Sequence, residues 1–109
     1  MKDDKLYLIH IAECIEKIET YVTGLDFSTF MQKTMVQDAV LRNLQILAES
    51  TQRLSEDFKY QYSEVEWYKV AGLRNILVHD YLGIDLETVW SVVEGRLPEL
   101  KAVVRAALE

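Results

Sequence analysis

A guanidinium, a carboxamide, an imidazole and a phenol fall within eight consecutive residues, Arg74-Asn75-Ile76-Leu77-Val78-His79-Asp80-Tyr81. A guanidinium holds phosphate oxygens in a planar, two-point grip, and an imidazole transfers protons near neutral pH. These two groups are the minimum equipment for breaking a phosphodiester without a metal. The cation offsets charge building at phosphorus, while the imidazole serves as base or acid. Asp80 is placed to tune the neighbouring imidazole or to pair with a cation. Between the polar groups, Ile76, Leu77 and Val78 can seat the segment in a core.

Helical geometry sets a condition on this chemistry. At about 100° per residue, Asn75 and His79 share a face, so the amide can orient the ring. Arg74 and Tyr81 nearly coincide, but on a different side. Arg74 and His79 therefore do not meet within one regular helix. Either the helix frays near His79, or the arginine side chain swings round, or a second copy of the chain completes the site.

The elements that must position these residues read as helical throughout. Leu8, Ile11, Ile15, Ile18 and Val22 recur at steps of three and four, giving a first helix over about residues 4–23 that Gly24 ends. Asp26 or Ser28 can cap a second helix, whose stripe of Val36, Val40, Leu44, Leu47, Thr51 and Leu54 runs to about residue 56. That length invites a kink or a split. Residues 57–63 lose the periodicity and read as a connector. Ser63 with Glu66 resembles a capping box opening a third helix to about residue 80. Asp85 caps a fourth, and Pro98 either kinks it or starts a fifth, which Gly95 favours. No alternating β-type run occurs. The expected fold is all-α, an antiparallel bundle of four to five helices.

Composition narrows the function classes. The chain has 109 residues, 50% hydrophobic and 28% charged, which suits one ordinary core and a single domain over 1–109. No run is long and apolar enough for a membrane span, and the acid-bearing start does not read as a signal peptide. One cysteine, Cys14, excludes an internal disulfide and a multi-cysteine zinc site, and suits a cytoplasmic chain. His10 and His79 are the only histidines and lie far apart, so a histidine metal site has little support, and no cofactor motif is present. The net charge of −6 argues against a broad nucleic-acid-binding face but leaves room for a local cationic cleft.

The motif and its flanks together resemble a known family. Arg74-x-x-x-x-His79-x-Tyr81, with Asn75 after the arginine, is similar to the signature of the HEPN superfamily. Leu41 to Glu49 upstream, Trp67 seven residues before Arg74, then Leu82-Gly83-Ile84-Asp85 and Leu97-Pro98 resemble the HepT-like toxins. The resemblance implies an all-helical homodimer in which two motifs meet in one cleft. It also implies a metal-independent endoribonuclease, the toxin of a toxin–antitoxin pair whose antitoxin is a minimal nucleotidyltransferase. On that pattern Arg74 and His79 are catalytic, Asn75 supports them, RNA is the substrate, and Tyr81 receives AMP from the antitoxin. Two positions depart from it: Ala48 where a glycine is common, and Glu66 where a proline often precedes the tryptophan. The first bears on helix approach and the second on how the third helix begins.

Plainer roles stand beside these. His79 can hydrogen-bond a carbonyl near a helix end, Asn75 can be a surface amide, and Arg74 can pair with Glu49 or Asp80. Asp80 can be a solvated acid, and Tyr81 an amphipathic packing residue. Trp67, Trp90, Tyr68 and Phe58 read as core or interface anchors rather than base-stacking platforms. Arg42 and Arg53 share one side of the second helix, and Glu13, Glu16 and Glu19 face solvent. The rival to a nuclease is a non-catalytic, nucleotide-binding or regulatory partner of a nucleotidyltransferase.

Overall fold

The computed structural model describes the backbone of residues 2–79 and 85–109, and the side chains of residues 4–73 and 85–109. The apolar stripe of the first segment rolls α1, Lys2–Val22, onto the rest of the protein, with Leu8, Ile11, Ile15 and Ile18 all buried. Gly24 follows at φ 77°, a left-handed backbone that glycine adopts without strain, and turns the chain. Cys14 lies in the same core, where burial pushes its thiol pKa up, so it behaves as a small apolar residue.

The long second helix divides, as its length invited. Asp26 caps a single turn, α2, Phe27–Phe30: Asp26 Oδ1 accepts the Thr29 N–H at 2.8 Å, and Thr29 Oγ1 accepts the Asp26 N–H at 2.9 Å. Residues 31–33 break the run before α3, Thr34–Gln52. Phe30 at the break is fully buried, its ring 5.0 Å from that of Trp90. Val40, Leu44, Leu47, Ala48 and Thr51 form the buried face of α3, so alanine at position 48 sits in full contact with its neighbours.

The expected connector is instead helical. Residues Glu56–Gln61 form α4, with Ser55 Oγ accepting the Phe58 N–H at 3.1 Å as its cap. Asp4 at the start of α1 holds that cap, accepting from Ser55 N at 2.8 Å and from Ser55 Oγ at 2.6 Å. Six residues make fewer than two turns, too short for an apolar period to show. Only Phe58 of this helix is buried.

After α5, Trp67–His79, the chain ends in one helical rod of three parts: α6, Leu86–Ser91, a wider π-type turn over Val92–Arg96, and α7, Leu97–Leu108. The turn is closed by the Leu97 N–H reaching the Val92 carbonyl five residues back. Pro98 sits in the first turn of α7. Its ring would press on a carbonyl four residues earlier in a regular helix, and the widened turn relieves that clash. Pro98 therefore stands in the first turn of α7, one of the two places expected for it, with no gap between the widened turn and that helix.

Four rods, α1, α3, α5 and α6–α7, thus make an all-α bundle with two short helices at its corners. α1 packs on both α3 and α7, and α5 packs on α3. No strand occurs among the described residues, and none of their helices is long and apolar enough to cross a membrane. Asp4 supplies the test of this arrangement. It is only 6% exposed, so Asp4→Ala strands two donors of Ser55 and lowers unfolding stability in urea by about 1–3 kcal/mol. Asp4→Asn keeps an acceptor oxygen and costs less.

Candidate active site

Residues 74–79 of the motif occupy the second half of α5, so the site depends on how that helix is set. Its start is fixed by Trp67, whose indole Nε1 donates to the Tyr62 carbonyl at 3.0 Å and whose ring meets Phe58 edge-on at 5.8 Å. Val70 is buried and Leu73 packs against the core, so Trp67, Val70 and Leu73 form the inward stripe toward α3. Gln52 Nε2 of α3 donates to the Ala71 carbonyl at 3.4 Å and adds a polar tie.

Glu66, not Ser63, heads this helix, its carbonyl accepting from Lys69 and Val70 N–H. Its carboxylate meets Lys69 Nζ at 3.0 Å and Arg96 Nη1 at 3.5 Å. Lys69 first, and Arg96 after it, hold the Glu66 carboxyl below its usual range. The residue that departs from the family pattern therefore links the start of α5 to the widened turn of the last rod.

Rotation about the axis of α5 now follows. Taking buried Val70 as the inward direction, the Arg74 position lies about 40° round, and the Asn75 and His79 positions about 140° and 180° round. The helix stays α-helical through His79, so fraying before that residue is not what joins cation and imidazole. One chain brings the Asn75 and His79 positions onto one face, a turn apart, and sets the Arg74 position about 140° from His79. The side chains of Arg74, Asn75 and His79, and all of Asp80 and Tyr81, lie outside the described residues.

On the C-terminal side of the motif, Asp85 fixes where α6 begins. Its carboxylate accepts the Thr88 hydroxyl at 2.9 Å and the Glu87 N–H at 3.0 Å, capping α6 as its sequence position indicated. Elsewhere, Arg42 and Glu49 are exposed on α3, Arg53 is exposed at its C-terminal cap, and His10 is exposed on α1 against the edge of Tyr7. Glu13, Glu16 and Glu19 also face outward, with Glu19 pairing with Lys101 at 2.9 Å. Trp67, Trp90 and Phe58 are core residues, one of the two roles expected of them, whereas Tyr68 is 72% exposed and so keeps only the interface role of that pair. Its position is about 160° from Val70, on the same face as Asn75 and His79, a coincidence already present in the residue spacing.

The family relation is decided along nearly the whole chain, because the profile of the Ribonuclease HepT-like family matches residues 11–107. The chain belongs to the HepT-like ribonuclease family. Among its relatives, "Probable ribonuclease HepT" of Thermococcus cleftensis is 36% identical over 92% of this chain and 91% of its own length. A "Putative RNase" of Methanocaldococcus jannaschii is 33% identical over 92% of both chains. A second protein of that organism, named "Gamma-glutamylcyclotransferase and putative RNase", is 37% identical over 99% of this chain, which spans about half (49%) of that relative's length. No solved structure gives a significant match.

The Asp85 cap gives a pH-dependent prediction for the flank of this HepT-like site. Hydrogen bonding, led by the Thr88 hydroxyl, lowers the folded carboxyl pKa below its unfolded value. The cap's stabilisation is therefore full above about pH 4 and is lost as pH falls through the lower folded value. Asp85→Asn should flatten that part of the acid limb in thermal melts between neutral and acid pH, because the amide oxygen caps without titrating.

Proposed function

We propose that this chain is the RNA-cleaving toxin of a toxin–antitoxin pair, a HEPN-like domain spanning residues 1–109 that acts as a homodimer. The observation that carries the reading is the family match joined to the register of α5, which sets the Asn75 and His79 positions on one outward face. In the reaction, the RNA 2′-oxygen attacks the adjacent phosphorus and the bond to the 5′-oxygen breaks. This leaves a 2′,3′-cyclic phosphate and a free 5′-hydroxyl. His79 takes the proton from the 2′-hydroxyl or gives one to the departing 5′-oxygen. Arg74 binds the non-bridging oxygens as charge builds on them, Asn75 orients the imidazole, and Asp80 tunes it. No step calls on a metal or an organic cofactor.

The divergence of the Arg74 and His79 positions is the reason for a dimer. Two motifs facing one cleft allow arginine from one protomer to work beside histidine from its partner. Control follows from the same crowding. The partner antitoxin is a minimal nucleotidyltransferase that transfers AMP from ATP to the Tyr81 hydroxyl, releasing pyrophosphate. The added phosphate and nucleoside then occupy the cleft and neutralise its cation.

Cleavage of a labelled single-stranded RNA tests the chemistry. His79→Ala and Arg74→Ala should each lower the rate by about 100-fold or more without changing the circular-dichroism spectrum. Wild-type rates from the His79 variant would overturn the assignment of that residue, and no cleavage by the unsubstituted chain would favour the non-catalytic regulatory partner. Mixing the two dead variants tests the shared cleft. Random exchange makes mixed dimers with one intact arginine–histidine pair, restoring roughly a quarter of wild-type activity, whereas a site held within one chain restores none. Co-purification with the neighbouring nucleotidyltransferase should add the mass of AMP to the peptide containing Tyr81.

A further inference from the structure

Two phenols stand exposed beside the start of α5. Tyr60 on α4 is 86% exposed and Tyr68 on α5 is 72% exposed, although burying such rings is strongly favourable. They line one open groove of about 470 Å³ between α4 and α5, floored by Trp67 and Val65 and edged by Ser63 and Ala71. The groove is close to neutral. Lys59 lies 3.8 Å from Glu56, and Lys69 and Arg96 are both engaged by Glu66. The Tyr68 hydroxyl donates to Glu66 Oε2 at 3.4 Å, which steadies the ring.

The groove continues the active helix. Tyr68, Asn75 and His79 occupy register positions within about 40° of one another on α5, and the last two lie about 10.5 and 16.5 Å along the axis from Tyr68. A single strand with a phosphate near the end of α5 and lying along this face runs into the tyrosines.

We propose that Tyr60 and Tyr68 form a base-stacking subsite, holding an unpaired nucleobase of the RNA at a distance from the scissile phosphate. The choice of RNA rests on the ribonuclease reading above. Stacking suits a groove whose cations are already engaged, because every base offers a π-face and the contact needs no net positive charge. Tyr60 and Tyr68 are positioning residues. They set where the strand lies, favour unpaired over duplex RNA, and leave the bond-breaking to the motif.

Binding is measured apart from cleavage by using the His79→Ala protein, so that RNA stays whole. A fluorescein-labelled single-stranded oligoadenylate is titrated into that protein and followed by anisotropy, beside an abasic oligomer of equal length. Adding Tyr60→Ala or Tyr68→Ala should weaken oligoadenylate binding by roughly tenfold each, while Tyr68→Trp retains it. The loss should be equal at low and high salt, and absent for the abasic oligomer. Met35→Ala, an equally open side chain on α3, should change nothing. Unchanged affinity in the tyrosine variants, or equal losses for both oligomers, would overturn the subsite. Dissociation of the dimer in the tyrosine variants, with RNA affinity kept, would also overturn it by making the groove a contact between copies. Failure of the unsubstituted protein to cleave RNA would refute the ribonuclease reading, while the oligomer titrations would still decide the groove.

Discussion

The rotation of α5 about its own axis is the constraint on which the rest depends. Trp67, Val70 and Leu73 are the residues that set it, because they must face α3 to leave water. Once that stripe is seated, a fixed 100° step assigns every later position on the helix its direction. The Asn75 and His79 positions fall on the side opposite that stripe, and the Arg74 position falls on the flank nearest the core. A slip of one residue would exchange these roles, moving the imidazole position toward the inward side. The packing that stabilises α5 and the geometry that divides its chemistry are therefore the same interaction.

The start of α5 is held by polar contacts that depend on the rest of the bundle. There, Glu66 reaches Arg96 on the last rod, and Trp67 hydrogen-bonds the carbonyl that follows α4. α4 itself is secured by Ser55, whose hydroxyl and N–H are bound by Asp4 at the far end of the sequence. After the motif, the Asp85 cap sets the direction of α6. Exposed ion pairs such as Lys101–Glu19 add little to this, since water screens them. The buried Asp4–Ser55 pair counts for more because its donors have no ready substitute.

Much of this was legible in the sequence, for identifiable reasons. Spacings of three and four in Leu8–Ile18 and Val40–Thr51 are long enough to repeat, so the buried faces of α1 and α3 follow from them. Asp26 and Asp85 cap where their side chains can reach an N–H two or three residues on, and both carboxyls are held below their usual range by those bonds. The octapeptide and its flanks carried the family. What was not legible was short or long-range. α4 has one buried residue and no period, and its cap is completed by Asp4, 51 positions away. The Ser63–Glu66 pattern suggested a capping box, but Glu66 is drawn instead to Lys69 and Arg96. The exposure of Tyr68 removes the core half of the core-or-interface expectation for it. Comparing its register with Val70 would have placed it outside.

An acidic chain can still handle a polyanion if its charges are separated in space. Glu13, Glu16 and Glu19 sit on the outward side of α1, with Glu19 drawn to Lys101 of α7. Arg42 is exposed on α3, the helix that α5 packs against, and Arg53 is exposed at its C-terminal cap. The net charge of −6 is a sum over the whole chain, whereas attraction to phosphate falls off over about 8–10 Å at ordinary salt. On the proposed function, arginines within that range of the phosphate would count for more than carboxylates beyond it, and the broad negative surface would weaken nonspecific binding elsewhere. On the same proposal, selectivity would come from what a flexible strand alone can offer: a phosphate that reaches the motif and a base free to leave its neighbours. An RNA already paired would supply the first without the second.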